Sequence, residues 1–242
     1  MTGVQTCALP IYDNQYGFIQ GRTIQDCLAW CFEYIFQCKQ SKRKVVLFKI
    51  DFEKAFDTIE HAAILKIMEA KGFPPMIIAW AKEILSSGSS SVLLNGIPGK
   101  SFHCKRGVRQ GDPLSPLLYV LGGDLLQSII NKAYTQGHLQ LPLPIGGDFP
   151  IVQYADDTLI VLPADPSQLL AFRSLLDQYA SFTGLRVNYE KSSMIPINLE
   201  HQDSLDLAQL MNCQIASMPF TYLGLPMGTT KPTIKEIGRA HV

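Results

Sequence analysis

The chain of 242 residues lacks several features that mark other classes of protein. It has no net charge, because 21 basic residues balance 21 acidic ones, so the basic character of many nucleic-acid-binding domains is absent. Its six cysteines include no Cys-x-x-Cys pair, which argues against a zinc site, and they suggest no disulfide scaffold. No apolar stretch is long enough to span a membrane, and the N-terminal one is too short for a signal peptide. With 47% hydrophobic residues, the chain can bury a large core.

Two adjacent carboxylates, Asp156 and Asp157, interrupt an apolar stretch at residues 151–162. Alternation and β-branched residues on both sides predict two strands joined by a tight turn. A bare Asp-Asp pair is usually a solvated turn, since Asp tolerates the unusual dihedrals of such turns. Strands this apolar are buried, however, and carboxylates at a buried tip are costly unless cations hold them. Because Mg²⁺ prefers carboxylate oxygens, the stretch predicts a metal site that needs a third carboxylate.

The third carboxylate is predicted to be Asp51, which ends a strand-like run at residues 44–50. A purely structural cap at the strand end is the alternative for this residue. Beyond it, Asp57 and Glu60 have the spacing of a capping box at the start of a helix, and Gly72 suits its end.

Helix and turn signals fill most of the remaining chain. Cys27, Cys31 and Cys38 recur at helical spacing, where they are predicted to be small core residues. Pro113 is predicted to lie in the first turn of a long helix. Within this helix, the two adjacent glycines at 122–123 indicate a close packing contact.

The predicted order of elements is strand, helix, helix, hairpin, helix, hairpin, helix, strand. Asn95-Gly96 suits the turn of the first hairpin, and Asp165 and Gly184 bound the last predicted helix of this series. This order indicates an antiparallel sheet backed by helices, which is α+β in class.

Three segments, in the order in which they occur, resemble the catalytic motifs of reverse transcriptases. Residues 48–57 (Phe-Lys-Ile-Asp-Phe-Glu-Lys-Ala-Phe-Asp) resemble the first motif, and residues 154–157 (Tyr-Ala-Asp-Asp) resemble the second. Between them, residues 106–116 (Arg-Gly-Val-Arg-Gln-Gly-Asp-Pro-Leu-Ser-Pro) resemble the motif that lies under the incoming nucleotide. The motifs are similar to those of LINE-type non-LTR retrotransposons, and the match runs from roughly Gln15 to Pro232. The resemblance implies a polymerase palm with a ferredoxin-like antiparallel sheet and partial fingers.

The resemblance also implies an RNA-directed DNA polymerase that extends a primer 3′ hydroxyl with the help of two Mg²⁺ ions, or Mn²⁺. Asp51 and Asp156 are implied to bridge both ions, with Asp157 assisting and the backbone carbonyl of Phe52 as a further ligand. Lys191 is the implied general acid for pyrophosphate departure.

Further residues take binding roles by the same resemblance. Phe56 is implied to block a 2′-hydroxyl, although a core aromatic fits the sequence equally well. The segment at 15–26 is compatible either with a template-backbone contact or with a loop that caps the next helix. The implied contacts to the nucleotide are Phe52, Phe56, Arg109, Gln110 and Gly111, and those to the primer end are Tyr222, Leu223 and Gly224.

The two ends look foreign to the rest of the chain. Possible codons for residues 6–11 and 237–242 are reverse complements, as in a sequencing adapter. We therefore expect residues 1–11 and 236–242 to be non-native and residues 12–235 to be the reverse transcriptase palm with partial fingers. Relative to the family pattern, the fingers strands before residue 12 and the thumb are expected to be missing, and no endonuclease or RNase H segment is recognised.

The expected partners are an RNA template, a DNA primer and deoxynucleoside triphosphates, with no membrane and no small-molecule cofactor. The expected location is intracellular, in the nucleus or a cytoplasmic ribonucleoprotein. Two alternatives stay open: an inactive remnant of a decayed element, and a related palm polymerase such as an intron maturase or a viral RNA-copying enzyme. Phe56, where a small polar residue would suit RNA copying, weighs against the viral enzyme.

Overall fold

The computed structural model describes residues 11–144 and 147–228. The helices in these ranges are α1 (Ile24–Gln40), α2 (Ala55–Thr58), α3 (His61–Ala70), α4 (Pro75–Ser86), α5 (Ser115–Thr135), α6 (Pro166–Thr183) and α7 (His201–Met211). The strands are β1 (Val45–Ile50), β2 (Ser89–Ser90), β3 (Leu93–Leu94), β4 (Ile97–Pro98), β5 (Phe102–His103), β6 (Ile151–Tyr154), β7 (Asp157–Pro163), β8 (Ser193–Ile197), β9 (Gln214–Ile215), β10 (Phe220–Tyr222) and β11 (Leu225–Met227). The expected non-native ends lie outside the described residues, except for Ile11.

A five-stranded sheet in the order β6-β7-β1-β8-β9 forms the centre of the fold. Strand β1 pairs antiparallel with both β7 and β8, and only the β8–β9 pair is parallel among the described strands of this sheet. Strands β1, β6, β7 and β8, with helices after β1 and β7, make the βαββαβ arrangement of ferredoxin-like folds. The predicted α+β class is therefore confirmed.

The apolar sequence of β1 follows from packing on both of its faces. Val46, Phe48 and Ile50 belong to the core layer that contains residues of helices α3 to α7. Val45 and Leu47 belong to the opposite layer, built with α1 and the β10–β11 hairpin. A strand covered on both sides is expected to be apolar without alternation, as residues 45–48 are. In the second layer, the α1 cysteines are buried free thiols, as predicted.

Helix α5 crosses close to the segment that follows the first strand. A Cβ atom added at Gly122 would lie 2.6 Å from Cδ1 of Ile59, so the end of the Ile59 side chain would have to move to admit a larger residue. The predicted packing contact is present. The predicted hairpin turn is also present, because Asn95 and Gly96 have φ values of 49° and 81°.

Two local predictions about helix starts are wrong. The capping box fails because the Asp57 N–H, which Glu60 would accept in such a box, donates instead to the Lys54 carbonyl, and Asp57 lies inside α2. Helix α5 begins at Ser115, after Pro113, because a turn at Asp112 precedes it. The Asp112 carboxylate accepts the Leu114 N–H, and its carbonyl accepts the Ser115 N–H. Within the described ranges, no helix is long and apolar enough to cross a membrane.

The end of α6 offers a test of close packing. Gly184 and Gly137 each follow a helix with φ of 79°, but only at Gly184 would an added Cβ overlap another group, the Thr58 carbonyl. We expect Gly137→Ala to cost about 1 kcal/mol, the ordinary penalty of a left-handed backbone. Gly184→Ala is expected to cost roughly 1–2 kcal/mol more, because the segment carrying Thr58 must shift. Urea unfolding followed by circular dichroism measures both; equal losses would contradict the packing argument.

Candidate active site

The Asp-Asp stretch forms a tight hairpin, as predicted. Tyr154 of β6 pairs with Asp157 of β7, which leaves Ala155 and Asp156 as the two turn residues. The left-handed backbone falls on Ala155, with φ of 57°, and not on either aspartate as the turn chemistry of Asp had suggested. A residue with a Cβ adopts this conformation only where surrounding structure holds it. The hairpin is therefore constrained from outside.

Strand pairing brings Asp51 to this hairpin. Ile50 pairs with Thr158, so continuing the antiparallel register by one residue places Asp51 beside Asp157. Asp51 and Asp156 are exposed and Asp157 is half-buried. Two chain segments that lie about a hundred residues apart in sequence thus present carboxylates at the same end of the sheet.

The electrostatics show that the three acids interact. Burial raises the pKa of the Asp157 carboxyl, and the negative charges of Asp156 and Asp51 raise this pKa further. The Lys49 ammonium, two residues before Asp51 on β1, acts in the opposite direction. Lys49 Nζ also donates to the Thr221 carbonyl at 3.1 Å, which ties the β10–β11 hairpin to this cluster. Sequence reasoning missed Lys49, although its spacing from Asp51 places both on one face of β1.

The segment before β8 supports Asp51 from the other side. Ser192 is fully buried, and its hydroxyl accepts the Asp51 N–H at 3.0 Å. The Asn188 N–H donates to the Asp51 carbonyl at 2.8 Å. Val187 forms a bridge with Phe52, the predicted carbonyl ligand, whose ring is itself buried. Lys191 is exposed in the same turn, so its predicted general-acid role stays a prediction.

The loop of the third motif docks on the segment after Asp51. Val108 N–H donates to the Phe56 carbonyl at 2.7 Å. The Phe56 ring is half-buried and stacks on Tyr119 of α5, with centroids 4.5 Å apart and planes inclined by 17°. Arg109, Gln110 and the Gly at 111 are exposed on the same loop.

A cleft of about 670 Å³ lies next to this loop. Its lining includes Arg109 and Gln110, together with Asp57 and His61. None of the three carboxylates is among the described residues that line it. The cleft and the acid cluster are therefore separate surfaces, joined through the segment that carries Phe56.

The predicted primer-contact residues differ in accessibility. Tyr222 is fully buried, and its hydroxyl donates to the Asp157 carbonyl at 3.2 Å. Leu223 and Gly224 form the turn between β10 and β11, with φ of 48° and 82°, and Gly224 is exposed. Any primer contact of this hairpin would thus fall to the turn, with Tyr222 holding the hairpin against β7.

For the segment at 15–26, the sequence leaves open a template-backbone contact or a loop that caps the next helix. Thr23 is the N-cap of α1, and its hydroxyl accepts the Asp26 N–H at 3.2 Å. The Arg22 guanidinium donates to the backbone carbonyls of Ile11, Tyr12 and Gln15, so it closes its own loop. Gln15 forms a parallel bridge with Gln153 of β6. These contacts favour the second alternative, a loop that caps α1, and they also tie this loop to the strand of the Asp-Asp hairpin.

The acidic side chains of the site offer only oxygen atoms as ligands, and oxygen ligands suit a hard cation such as Mg²⁺. The acids are not gathered into a ready cage: in residues 11–144 and 147–228, no group of three His, Cys, Asp or Glu side chains is arranged to hold a metal ion. Mg²⁺ sites of this kind commonly keep several waters and use one or two carboxylates, so exposed Asp51 and Asp156 fit that chemistry.

A ferredoxin-like sheet with carboxylates at the end of its central strand and on the adjoining hairpin is typical of the palm of a nucleic-acid polymerase. Residues 4–227 match the family described as "Reverse transcriptase (RNA-dependent DNA polymerase)", and the chain belongs to this family. Members of the family generally use divalent metal ions.

The relatives agree with the resemblance to non-LTR retrotransposons. The transposon TX1 uncharacterized 149 kDa protein of Xenopus laevis is 29% identical over 76% of this chain and 14% of its own length. The Pol polyprotein of the retrotransposable element R2DM of Drosophila melanogaster is 24% identical over 72% of this chain and 16% of its own length. The chain thus spans less than a fifth of either relative.

The fold agrees with a solved structure. Telomerase from Candida albicans, in complex with a fragment of telomeric RNA, aligns with a TM-score of 0.59 at 15% identity. The alignment covers 90% of this chain and 34% of the telomerase chain. This likeness confirms the predicted palm fold.

The raised pKa of Asp157 predicts a gain of stability on its neutralisation. Folded Asp157 binds its proton more tightly than the unfolded chain does, so this group lowers stability as pH rises from its ordinary pKa of 3.8 through the raised value. We expect Asp157→Asn to stabilise the chain at pH 7 by about 0.5–1 kcal/mol, a modest gain because water screens a partly exposed group. The gain should vanish below pH 3.8, where Asp157 is protonated in both states.

Urea unfolding at a series of pH values measures this effect. Asp148→Asn, at an exposed aspartate of the loop before β6, is the matched control and should change stability by less than about 0.5 kcal/mol at every pH. A loss of stability in Asp157→Asn at pH 7 would contradict the assignment of Asp157 as a repelled carboxylate.

Proposed function

We propose that the chain catalyses RNA-templated DNA synthesis, by transfer of a deoxynucleotide onto a primer 3′ hydroxyl. One observation supports this most: in a chain of the reverse transcriptase family, the β1–β7 register brings Asp51 beside Asp157 and the Asp156 turn. The proposed partners are an RNA template, a DNA primer and deoxynucleoside triphosphates, which implies action inside the cell. The reaction itself is an in-line displacement at phosphorus, for which positioned charge is the main catalytic requirement.

The proposed metal ligands are Asp51, Asp156 and Asp157, with the Phe52 carbonyl. Two Mg²⁺ ions held there would supply charge stabilisation to the attacking and leaving oxygens. Asp51 and Asp156 are exposed, which leaves their oxygens accessible, whereas half-buried Asp157 is suited to an assisting role. Lys49 partly neutralises the cluster before any cation binds.

The remaining proposed roles concern the nucleotide, the departing pyrophosphate and the primer end. The Phe56 ring is supported from below by Tyr119, which suits a wall against the sugar. Arg109, Gln110 and Gly111 extend from the loop docked on Phe56, where Arg109 would meet phosphate oxygens. Exposed Lys191 would donate the proton to departing pyrophosphate. The β10–β11 turn at Leu223–Gly224 would meet the primer end.

Neutralising either exposed acid should remove both cation binding and catalysis. We expect Asp51→Asn or Asp156→Asn to lower RNA-templated primer extension by roughly a thousandfold or more, with the double variant scarcely worse, because members of one catalytic unit are not additive. Asp157→Asn should be milder. Mg²⁺ should raise the Tm of the unaltered chain by several degrees through linkage, and each of the two variants should lose most of this rise.

Differential scanning calorimetry with and without Mg²⁺ needs no template, so it is the first measurement. Asp148→Asn is the control and should keep the full Mg²⁺-dependent rise. An Asp51→Asn variant that retains near-normal extension would show that the assignment of the metal ligands is wrong. A chain on which Mg²⁺ has no effect would instead favour the inactive-remnant alternative.

The Phe56 wall predicts a change in sugar selection. In Phe56→Ala, the ratio of kcat/KM for a deoxynucleotide to that for the matching ribonucleotide should fall by roughly tenfold or more, because the 2′-hydroxyl meets open space. Tyr119→Phe keeps the ring beneath Phe56 and should leave the ratio unchanged. If Phe56→Ala loses stability but keeps its ratio, Phe56 is a core aromatic and the wall lies elsewhere.

A further inference from the structure

The turn that carries the acids has a backbone conformation it would not choose alone. Ala155 has φ of 57°, a left-handed value that costs free energy for any residue with a Cβ. Both neighbouring aspartates take their direction from this residue, because Asp156 shares the turn and Asp157 begins β7. Whatever holds Ala155 therefore also sets where the two carboxylates point.

Gln15 supplies that hold. Its side chain is only 1% exposed, and its Oε1 accepts the N–H of Ala155 at 3.1 Å and the N–H of Gly17 at 2.9 Å. Only the oxygen of an amide can accept two N–H groups, so these donors fix which way the amide faces. One buried oxygen thus joins the N-terminal segment to the acid-bearing turn.

The backbone around Gln15 packs closely against the hairpin and so holds this oxygen at the turn. A Cβ added at Gly17 would overlap the Ala155 backbone nitrogen, so only glycine allows this approach. On β6, the Tyr16 N–H donates to the Gln153 carbonyl at 2.8 Å, which fixes the register of the segment. Arg22 closes the loop through the Gln15 carbonyl at 2.6 Å.

The nitrogen of the Gln15 amide gives a second reason to assign a role to its oxygen. Gln15 Nε2 is buried and has no hydrogen-bond partner in the part of the chain that the structure describes. A buried amide nitrogen without a partner is costly, and an apolar side chain would fill the same space without that cost. The two bonds of the oxygen are the contribution that offsets this cost.

We propose that Gln15 is a positioning residue of the active site, which fixes the Ala155–Asp156 turn and so sets the placement of Asp156 and Asp157 relative to Asp51. This inference rests on the proposed function, because the placement matters only if the acids bind a cation. The Gln15 side-chain oxygen accepts only backbone N–H groups, those of Gly17 and Ala155, among the described residues, so it acts on the acids through the turn.

Gln15→Met tests the hold, because Met is similar in length and lacks the acceptor oxygen. In the 242-residue chain, hydrogen exchange at the Ala155 amide should be about tenfold faster in Gln15→Met, the expected effect of losing one hydrogen bond. Gln127→Met is the matched control, because Gln127 is an equally buried glutamine (1% exposed) whose amide bonds Asn131 and Phe149 instead. It should leave Ala155 exchange unchanged. Equal rates at Ala155 in Gln15→Met and the unaltered chain would overturn the proposal.

Mn²⁺ affinity, measured by electron paramagnetic resonance of the free ion, tests the consequence for the acids. Gln15→Met should weaken Mn²⁺ binding by about tenfold, and Gln127→Met should not. Adding Ala155→Gly to Gln15→Met should recover part of the loss, because glycine adopts the left-handed turn without the Cβ penalty. A role in packing alone would give no such recovery. Should Gln15→Met not fold, Gln15→Asn, which withdraws the oxygen from the turn, is measured in its place.

Asp156→Asn separates the two ways of failing. If Asp156→Asn abolishes Mn²⁺ binding and Gln15→Met leaves it unchanged, the positioning role is overturned and the proposed function stands. If the unaltered chain and Asp156→Asn bind Mn²⁺ equally, the proposed function is overturned, and with it the role of Gln15 in placing a metal site. Faster Ala155 exchange with weaker, Asp156-dependent Mn²⁺ binding supports both.

Discussion

The pairing of β1 with β7 is the interaction on which the candidate site depends. Val45, Leu47 and Lys49 share one face of β1, while Val46, Phe48 and Ile50 face the opposite core layer. A slip of one residue would exchange these sets and turn the Lys49 and Asp51 charges towards the apolar layer of α3, α5 and α6. Burial of the apolar residues therefore fixes the register, and the register places Asp51 beside Asp157.

The same geometry explains why the β10–β11 hairpin sits where it does. The cluster holds three mutually repelling carboxylates, and the Lys49 ammonium that opposes this repulsion also donates to the Thr221 carbonyl of the hairpin. On the next residue, the Tyr222 hydroxyl donates to the Asp157 carbonyl. Two neighbouring hairpin residues are thus bonded to the two strands that carry the acids. The charge balance of the cluster and the position of the hairpin therefore both depend on Lys49, and a change at this residue would affect both.

The sequence was sufficient to predict the elements whose signals are local. The α+β class, the Asp-Asp hairpin, the Asn95-Gly96 turn and the close approach at Gly122 all follow from periodicity, β-branching or turn chemistry over a few residues. The capping box predicted at Asp57 was wrong because another local acceptor, the Lys54 carbonyl, accepts the Asp57 N–H. The predicted start of α5 was wrong because the turn at Asp112 accepts the backbone N–H that follows Pro113, so the helix begins later in the chain. Where two local solutions have similar energies, the sequence pattern does not decide between them.

The groups that hold the acids in place could not be predicted, for a different reason. The Asp51 N–H donates to Ser192, 141 residues away, and the Ala155 N–H donates to Gln15, 140 residues away. Each contact uses a single polar atom, so neither periodicity nor spacing marks it. The acids themselves lie on short motifs of several adjacent residues, whereas a support needs only one atom at the right place. Ser192 and Gln15 share a property that the fold alone reveals: each is a polar side chain that is at most 1% exposed, and such a group persists where its hydrogen bond is needed. In this fold, the side chains that hold the candidate site are therefore buried polar ones.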